Sequence, residues 1–290
     1  MKRAFLGILL LYAGSALADF QDGVDAFLRG DHAAAVAEFQ SVAEQGNAAA
    51  QYNLAVFYDQ GKGVVRDQAR AVHWFRRAAK QGVAKAQFNL GVAYINGEGV
   101  PRDLKRAVRW FRRAARQGDA DAQHSLAIRY DLGDGVPRDS GRAAYWSHRA
   151  AEQGQVQAQV NLGVSYATGD GVPRDDVRAF MWWCRAASQG DSQAAVYRDK
   201  IARGMAPQEI AAARKMAHAW HPTEEAEGHR FNALDHPPDL VTRVQKGLAG
   251  LGYFSGSING IPCPRMRAAI RAFQRDRNLS VDGNLTHDVL

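Results

Sequence analysis

The chain has 290 residues, 46% of them hydrophobic and 23% charged, with 37 Lys and Arg against 30 Asp and Glu for a net charge of +7. That hydrophobic content excludes global disorder, and the length accommodates one extended domain plus a small one. Two cysteines, Cys184 and Cys263, are no disulfide framework.

The chain opens with Met1-Lys2-Arg3, an apolar run from Ala4 to Ala13, and then Gly14-Ser15-Ala16-Leu17-Ala18. A basic start, a short apolar core and small residues at Ala16 and Ala18 describe a secretory signal peptide, cleaved after Ala18. The run is too short to span a bilayer, which takes about 20 apolar residues. Cleavage removes Lys2 and Arg3 and leaves 35 basic against 30 acidic residues. In an exported, periplasmic protein that balance points to anionic envelope polymers or acidic proteins rather than nucleic acid.

Segments beginning at Ala50, Ala86, Ala122 and Ala158 then align without a gap, a period of 36 residues. Gln51, Gln87, Gln123 and Gln159 stand second, Leu54, Leu90, Leu126 and Leu162 fifth, and Tyr58, Tyr94, Tyr130 and Tyr166 ninth. Glycine pairs such as Gly61 and Gly63 follow, then a turn ending in Arg-Asp. Trp74, Trp110, Trp146 and Trp182, alanine pairs and a closing glycine complete each copy.

Each copy reads as two helices. Gln51, Leu54, Ala55 and Tyr58 form an i, i+3, i+4, i+7 stripe on the first. The first glycine of each pair ends that helix in the left-handed conformation. Asp67, Asp103, Asp139 and Asp175 stand where a carboxylate caps the second helix, which buries Ala71, Trp74, Phe75, Ala78 and Ala79. A degenerate copy precedes these repeats, at Asp31, Ala35, Phe39, Ala43 and Gly46. Beyond them Ala194 and Tyr197 open a further first helix, and Pro207 to Trp220 read as a capping helix. The pattern resembles the Sel-one-like repeat family, relatives of the tetratricopeptide repeats.

Between copies, the first-helix positions 53, 57 and 60 vary: Asn53, Phe57, Gln60; Asn89, Ala93, Asn96; Ser125, Arg129, Leu132; Asn161, Ser165, Thr168. They are expected to flank the buried stripe. In the tetratricopeptide relatives first helices line a groove whose Asn side chains hold a peptide backbone. The resemblance implies that Asn53, Asn89 and Asn161 grip a partner while Phe57, Asn96 and Arg129 read its side chains. Arg129, the one charge on this face, calls for a carboxylate on the partner. Solvation of an exposed helix face is the alternative for the asparagines.

Residues 221–238 are polar, proline-containing and without helical period, and read as a linker. His218, His221, His229 and His236 cluster there without zinc spacing, so no metal is expected. From Leu240 an amphipathic pattern restarts, with Val241, Val244, Leu248 and Leu251, the loop Tyr253 to Gly260, and Met266, Ile270 and Phe273. With Leu251-Gly252-Tyr253, Ile258-Asn259-Gly260 and Val281-Asp282-Gly283, this segment resembles the three-helix peptidoglycan-binding domain family. It departs from that family's usual Asp at Asn259, Gly at Cys263 and Thr at Met266. The resemblance implies weak peptidoglycan binding through Tyr253, Asn259, Arg265 and Gln274. For the two thiols, an unpaired state is favoured over a bridge, since sequence says nothing of their separation.

No nucleophile elbow, zinc-protease motif or phosphate loop is present, so no catalytic residue or cofactor is assigned. The expected architecture is all-α: a right-handed α-solenoid of two-helix, 36-residue repeats plus a small three-helix C-terminal domain. Its expected segments are 1–18 signal peptide, 19–220 solenoid with capping helix, 221–238 linker and 239–290 peptidoglycan-binding-like domain. The expected function is a non-enzymatic scaffold binding a protein or peptide of the cell envelope and tethered to peptidoglycan, with no membrane span after cleavage. The alternative is a periplasmic regulator docking on a membrane sensor, and a remote third is a wall-modifying enzyme.

Overall fold

The computed structural model describes residues 20–220, together with 246, 248–253, 255, 269, 270, 272, 273, 275 and 276. Every regular element among them is helical. The chain divides into two compact units, Met1–Ala122 and Gln123–Leu290. The first holds α1 (20–28), α2 (His32–Glu44), α3 (Ala48–Gln60), α4 (Gln68–Lys80), α5 (Ala84–Asn96), α6 (Leu104–Arg116) and the start of α7 (Ala120–Leu132). The second holds the rest of α7, then α8 (Ser140–Glu152), α9 (Val156–Thr168), α10 (Asp176–Ser188), α11 (Ser192–Ala202) and α12 (Pro207–Ala219).

The turn chemistry does what the repeat spacing requires. Asp67, Asp103, Asp139 and Asp175 cap α4, α6, α8 and α10, each accepting from the backbone N–H three residues on at 2.8–2.9 Å. Such a cap contributes about 1 kcal/mol. The N–H of each capping Asp in turn donates to the carbonyl of the repeat's tyrosine, as Asp103 does to Tyr94 at 2.9 Å. The second glycine of the pair has a different task from the first. Gly99 sits at φ 67°, and a Cβ there would overlap the Gln68 carbonyl. The turn entering α6 therefore lies directly on the first turn of α4.

Small residues opposite aromatics set how closely helices approach. Within the first unit a Cβ added to Gly91 would come within 2.6 Å of the Phe111 ring, which is fully buried. Within the second unit Gly163 makes the same room for Trp183, whose indole N–H donates to the Val160 carbonyl at 3.2 Å. Leu54, Leu90, Leu126 and Leu162 are all 0% exposed, each contributing about 1.5–3 kcal/mol of burial. The upstream copy is real: α2 is capped by Asp31 and buries Ala35, Phe39 and Ala43.

Beyond the repeats, α12 starts with Pro207 in its first turn and the Glu209 carboxylate accepts from the Ala206 N–H at 2.8 Å. It packs on α10. Arg185 of α10 donates to the Ala217 carbonyl at 3.0 Å, and its guanidinium lies 4.0 Å from the Trp220 ring. The expected linker, 221–238, lies outside the described residues.

Candidate functional site

The glutamine of each first helix is as buried as the leucine beside it. Gln51, Gln87, Gln123 and Gln159 are 0–4% exposed. A buried amide left unpaired costs about 1–3 kcal/mol, and here it is paired at both ends. Gln51, Gln87 and Gln159 donate to the carbonyls of Ala43, Ala79 and Ala151 at 3.0–3.1 Å, each reaching back to the preceding second helix. Their side-chain oxygens accept from Gln81, Gln117 and Gln189 at 2.8–2.9 Å, just past the end of the following second helix. Gln123 accepts from Gln153 at 2.8 Å in the same way. One glutamine thus ties a first helix to the second helices before and after it. Sequence reasoning placed these glutamines on the buried stripe but missed their partners, although a polar residue repeated four times on an apolar stripe was the available signal.

The candidate groove residues separate into two groups. Asn53 and Asn89 in the first unit and Asn161 in the second are half-buried. No side-chain hydrogen bond engages any of the three among the described residues. Asn96 is exposed at the end of α5. All four keep some exposure to solvent.

Two other candidates need correction. Phe57 is 5% exposed, its ring 5.9 Å from those of both Phe27 and Phe39. It belongs to the core, because position 57 lies three residues beyond Leu54 and shares its stripe; Ala93 at the equivalent place is 6% exposed. Arg129 does not await a carboxylate from a partner. Asp134, in the turn five residues on, supplies one at 2.8 Å, and the Arg129 side chain is only 16% exposed. The turn returns along the end of α7, a proximity that spacing on the helix alone does not reveal.

In the C-terminal segment only Tyr253 of the four candidates is described. Its hydroxyl donates to Asp276 at 2.8 Å and its ring meets Phe273 edge-on at 5.6 Å. Asn259, Arg265 and Gln274 lie outside the described residues, as does Cys263. Cys184 is half-buried, and burial pushes its thiol up from the usual cysteine range. It lines a hollow of about 260 Å³ between α10 and α12 with Arg185, Ser188, Arg214, Ala217 and His218. Burial likewise lowers Arg185 from the ordinary guanidinium value.

Among the described residues, no three His, Cys, Asp or Glu side chains are grouped to hold a metal. No helix there is long and apolar enough to cross a membrane.

Comparison with known proteins agrees with this geometry. The Sel1 repeat model matches residues 48–83, 84–119, 120–155 and 156–191. The model described as a putative peptidoglycan binding domain matches residues 237–290. Among solved structures, c5321, described as a protective antigen of uropathogenic Escherichia coli displaying an SLR fold, is 33% identical with a TM-score of 0.64. That match covers 72% of this chain and 46% of c5321. A Sel1 repeat protein from Oxalobacter formigenes is 34% identical with a TM-score of 0.54, over 68% of this chain and 79% of that one. A putative OxPP cycle protein OpcA from Synechocystis is 34% identical over 88 residues, 27% of this chain and 18% of that protein. The chain therefore spans under half of c5321 and under a fifth of the cyanobacterial protein. The paired helices are of the solenoid class that the two solved structures share.

Proposed function

This chain belongs to the Sel1 repeat family, and on that premise we propose that it is a non-enzymatic scaffold of the cell envelope. Its repeats engage a protein or peptide partner through their first helices, and its C-terminal peptidoglycan-binding-like domain tethers it to the wall. Export by a signal peptide cleaved after Ala18, with residence in the periplasm, completes the reading.

The observation that carries it is the state of Asn53, Asn89 and Asn161. A half-buried Asn in mid-helix is a poor helix former, and without an internal partner it adds nothing to the fold. Recurring at one repeat position, it presents a donor and an acceptor that a backbone amide of a bound peptide satisfies.

The test is a triple Asn53→Ala, Asn89→Ala and Asn161→Ala variant, with the partner first captured by crosslinking in intact cells. Partner affinity is expected to fall at least tenfold while the unfolding midpoint stays put. Unchanged affinity rejects the grip. Co-sedimentation of the full chain with purified sacculi tests the tether, which fails if the protein stays in the supernatant at low salt.

A second reading has one observation in its favour. The Tyr253 hydroxyl is already bonded to Asp276, as expected of a residue that supports the small domain rather than binds sugar. On that reading the domain is structural and the repeats dock on the extracytoplasmic part of a membrane sensor.

A further inference from the structure

The charge of this protein is concentrated on two helices. Together α4 and α6 carry ten Lys and Arg and no Asp or Glu, whereas the whole chain is +7. Everything else is thus net acidic by three. The corresponding helices of the second unit, α8 and α10, each hold two arginines and one acid.

The ten cations are only partly neutralised from within. Arg70 and Arg106 pair with the capping Asp67 and Asp103 at 3.3 and 3.2 Å, and Arg76 reaches the Tyr94 hydroxyl at 3.4 Å. Arg77 and Arg113 stack on Trp74 and Trp110, at 5.0 and 4.6 Å from the ring centres. Stacking orients a guanidinium without discharging it. Lys80, Lys105 and Arg109 are exposed, and no carboxylate pairs with them or with Arg77 or Arg113 among the described residues.

The spacing is as informative as the number. Lys105, Arg109 and Arg113 stand four residues apart along one side of α6, about 6 Å between neighbours. Neither α4 nor α6 carries a large exposed hydrophobic side chain. A membrane-surface helix needs an apolar face to insert, and the apolar faces of α4 and α6 are buried in the repeat core. What fits is a partner whose carboxylates recur at the same interval, which an acidic helix with Glu or Asp at i, i+4 and i+8 provides.

We infer that the solvent face of α4 and α6 is a docking surface for an acidic helical segment of a protein partner. It uses the second helices and is independent of the asparagines of the first. Lys105, Arg109 and Arg113 are its central row.

Fluorescence anisotropy of the full chain with two labelled synthetic peptides tests it. One carries Glu at i, i+4 and i+8 on one side of an Ala-rich helix of about 20 residues. The other has the same composition with its Glu spread around the helix. The first is expected to bind at least tenfold more tightly, with an affinity that falls as salt rises. A Lys105→Glu, Arg109→Glu, Arg113→Glu variant, shown by circular dichroism to keep its helicity, should lose that preference. Reversing Lys200, Arg203 and Arg214 to Glu should leave it intact. Equal binding of the two peptides, or an unchanged triple variant, overturns the proposal. So does equally tight binding of wild type to phosphatidylglycerol vesicles, which makes the face a lipid-adsorbing one.

Discussion

The second helices of the two units share a scaffold and differ in what they show to water. His73 of α4 and Arg109 of α6 are exposed. Their equivalents in α8 and α10, Tyr145 and Met181, are each 7% exposed. The contrast repeats at position 77 of the motif. Arg77 and Arg113 lie over the tryptophan of their own helix. Arg185 instead lies over Trp220, beyond the end of α12, and bonds to the Ala217 carbonyl. The repeat therefore specifies an inner face and leaves the outer one free to be charged and open in one unit and covered in the other.

The largest expected effect tests the sameness. Leu90→Ala in the first unit and Leu162→Ala in the second should each cost about 2–5 kcal/mol, because both leucines are fully buried in equivalent surroundings. Urea unfolding measures it, and a cost under about 1 kcal/mol in one unit alone breaks the equivalence.

Next come the glutamines. Gln87→Leu should cost about 1–3 kcal/mol, since it removes two hydrogen bonds, one to the Ala79 carbonyl and one from the Gln117 amide. Adding Gln117→Leu deletes a bond that the first change has already broken, so the double variant should cost less than the two singles together. Strict additivity would show that the two side chains do not cooperate.

A smaller effect should separate the units. Trp220→Ala removes the ring that Arg185 and Trp182 meet and should cost about 1–2 kcal/mol. Arg113→Ala, which loses only a stack on the solvent face of α6, should cost less than about 1 kcal/mol. Reversal of that order breaks the contrast.

The smallest is a matter of rate. Since burial raises the Cys184 thiol, the folded chain holds less thiolate at a given pH than the unfolded one. Alkylation of Cys184, followed by peptide mass spectrometry, should be slower in the native protein at pH 8 than in denaturant. The folded state also keeps the proton more tightly. Stability contributed by this group is thus present below the ordinary thiol range and declines as pH rises through it.

Much of this was legible from the sequence alone. A strict 36-residue period with Leu, Ala and aromatic stripes determines two-helix units and their buried faces, because few apolar residues at helical spacing can be satisfied any other way. The Asp caps and the glycines that end each first helix are local chemistry, settled within a handful of residues, and they stand where the spacing put them. Tertiary structure alone decided the rest. Whether Phe57 faces a partner or the core depends on α1 and α2 packing over it, and Arg129 finds its carboxylate only because a turn folds back. The partners of each buried glutamine lie 8 and 30 residues away along the chain. Periodicity reports which side of a helix is inward; it carries no information about which distant group meets a side chain there, and that is set by how the helices stack.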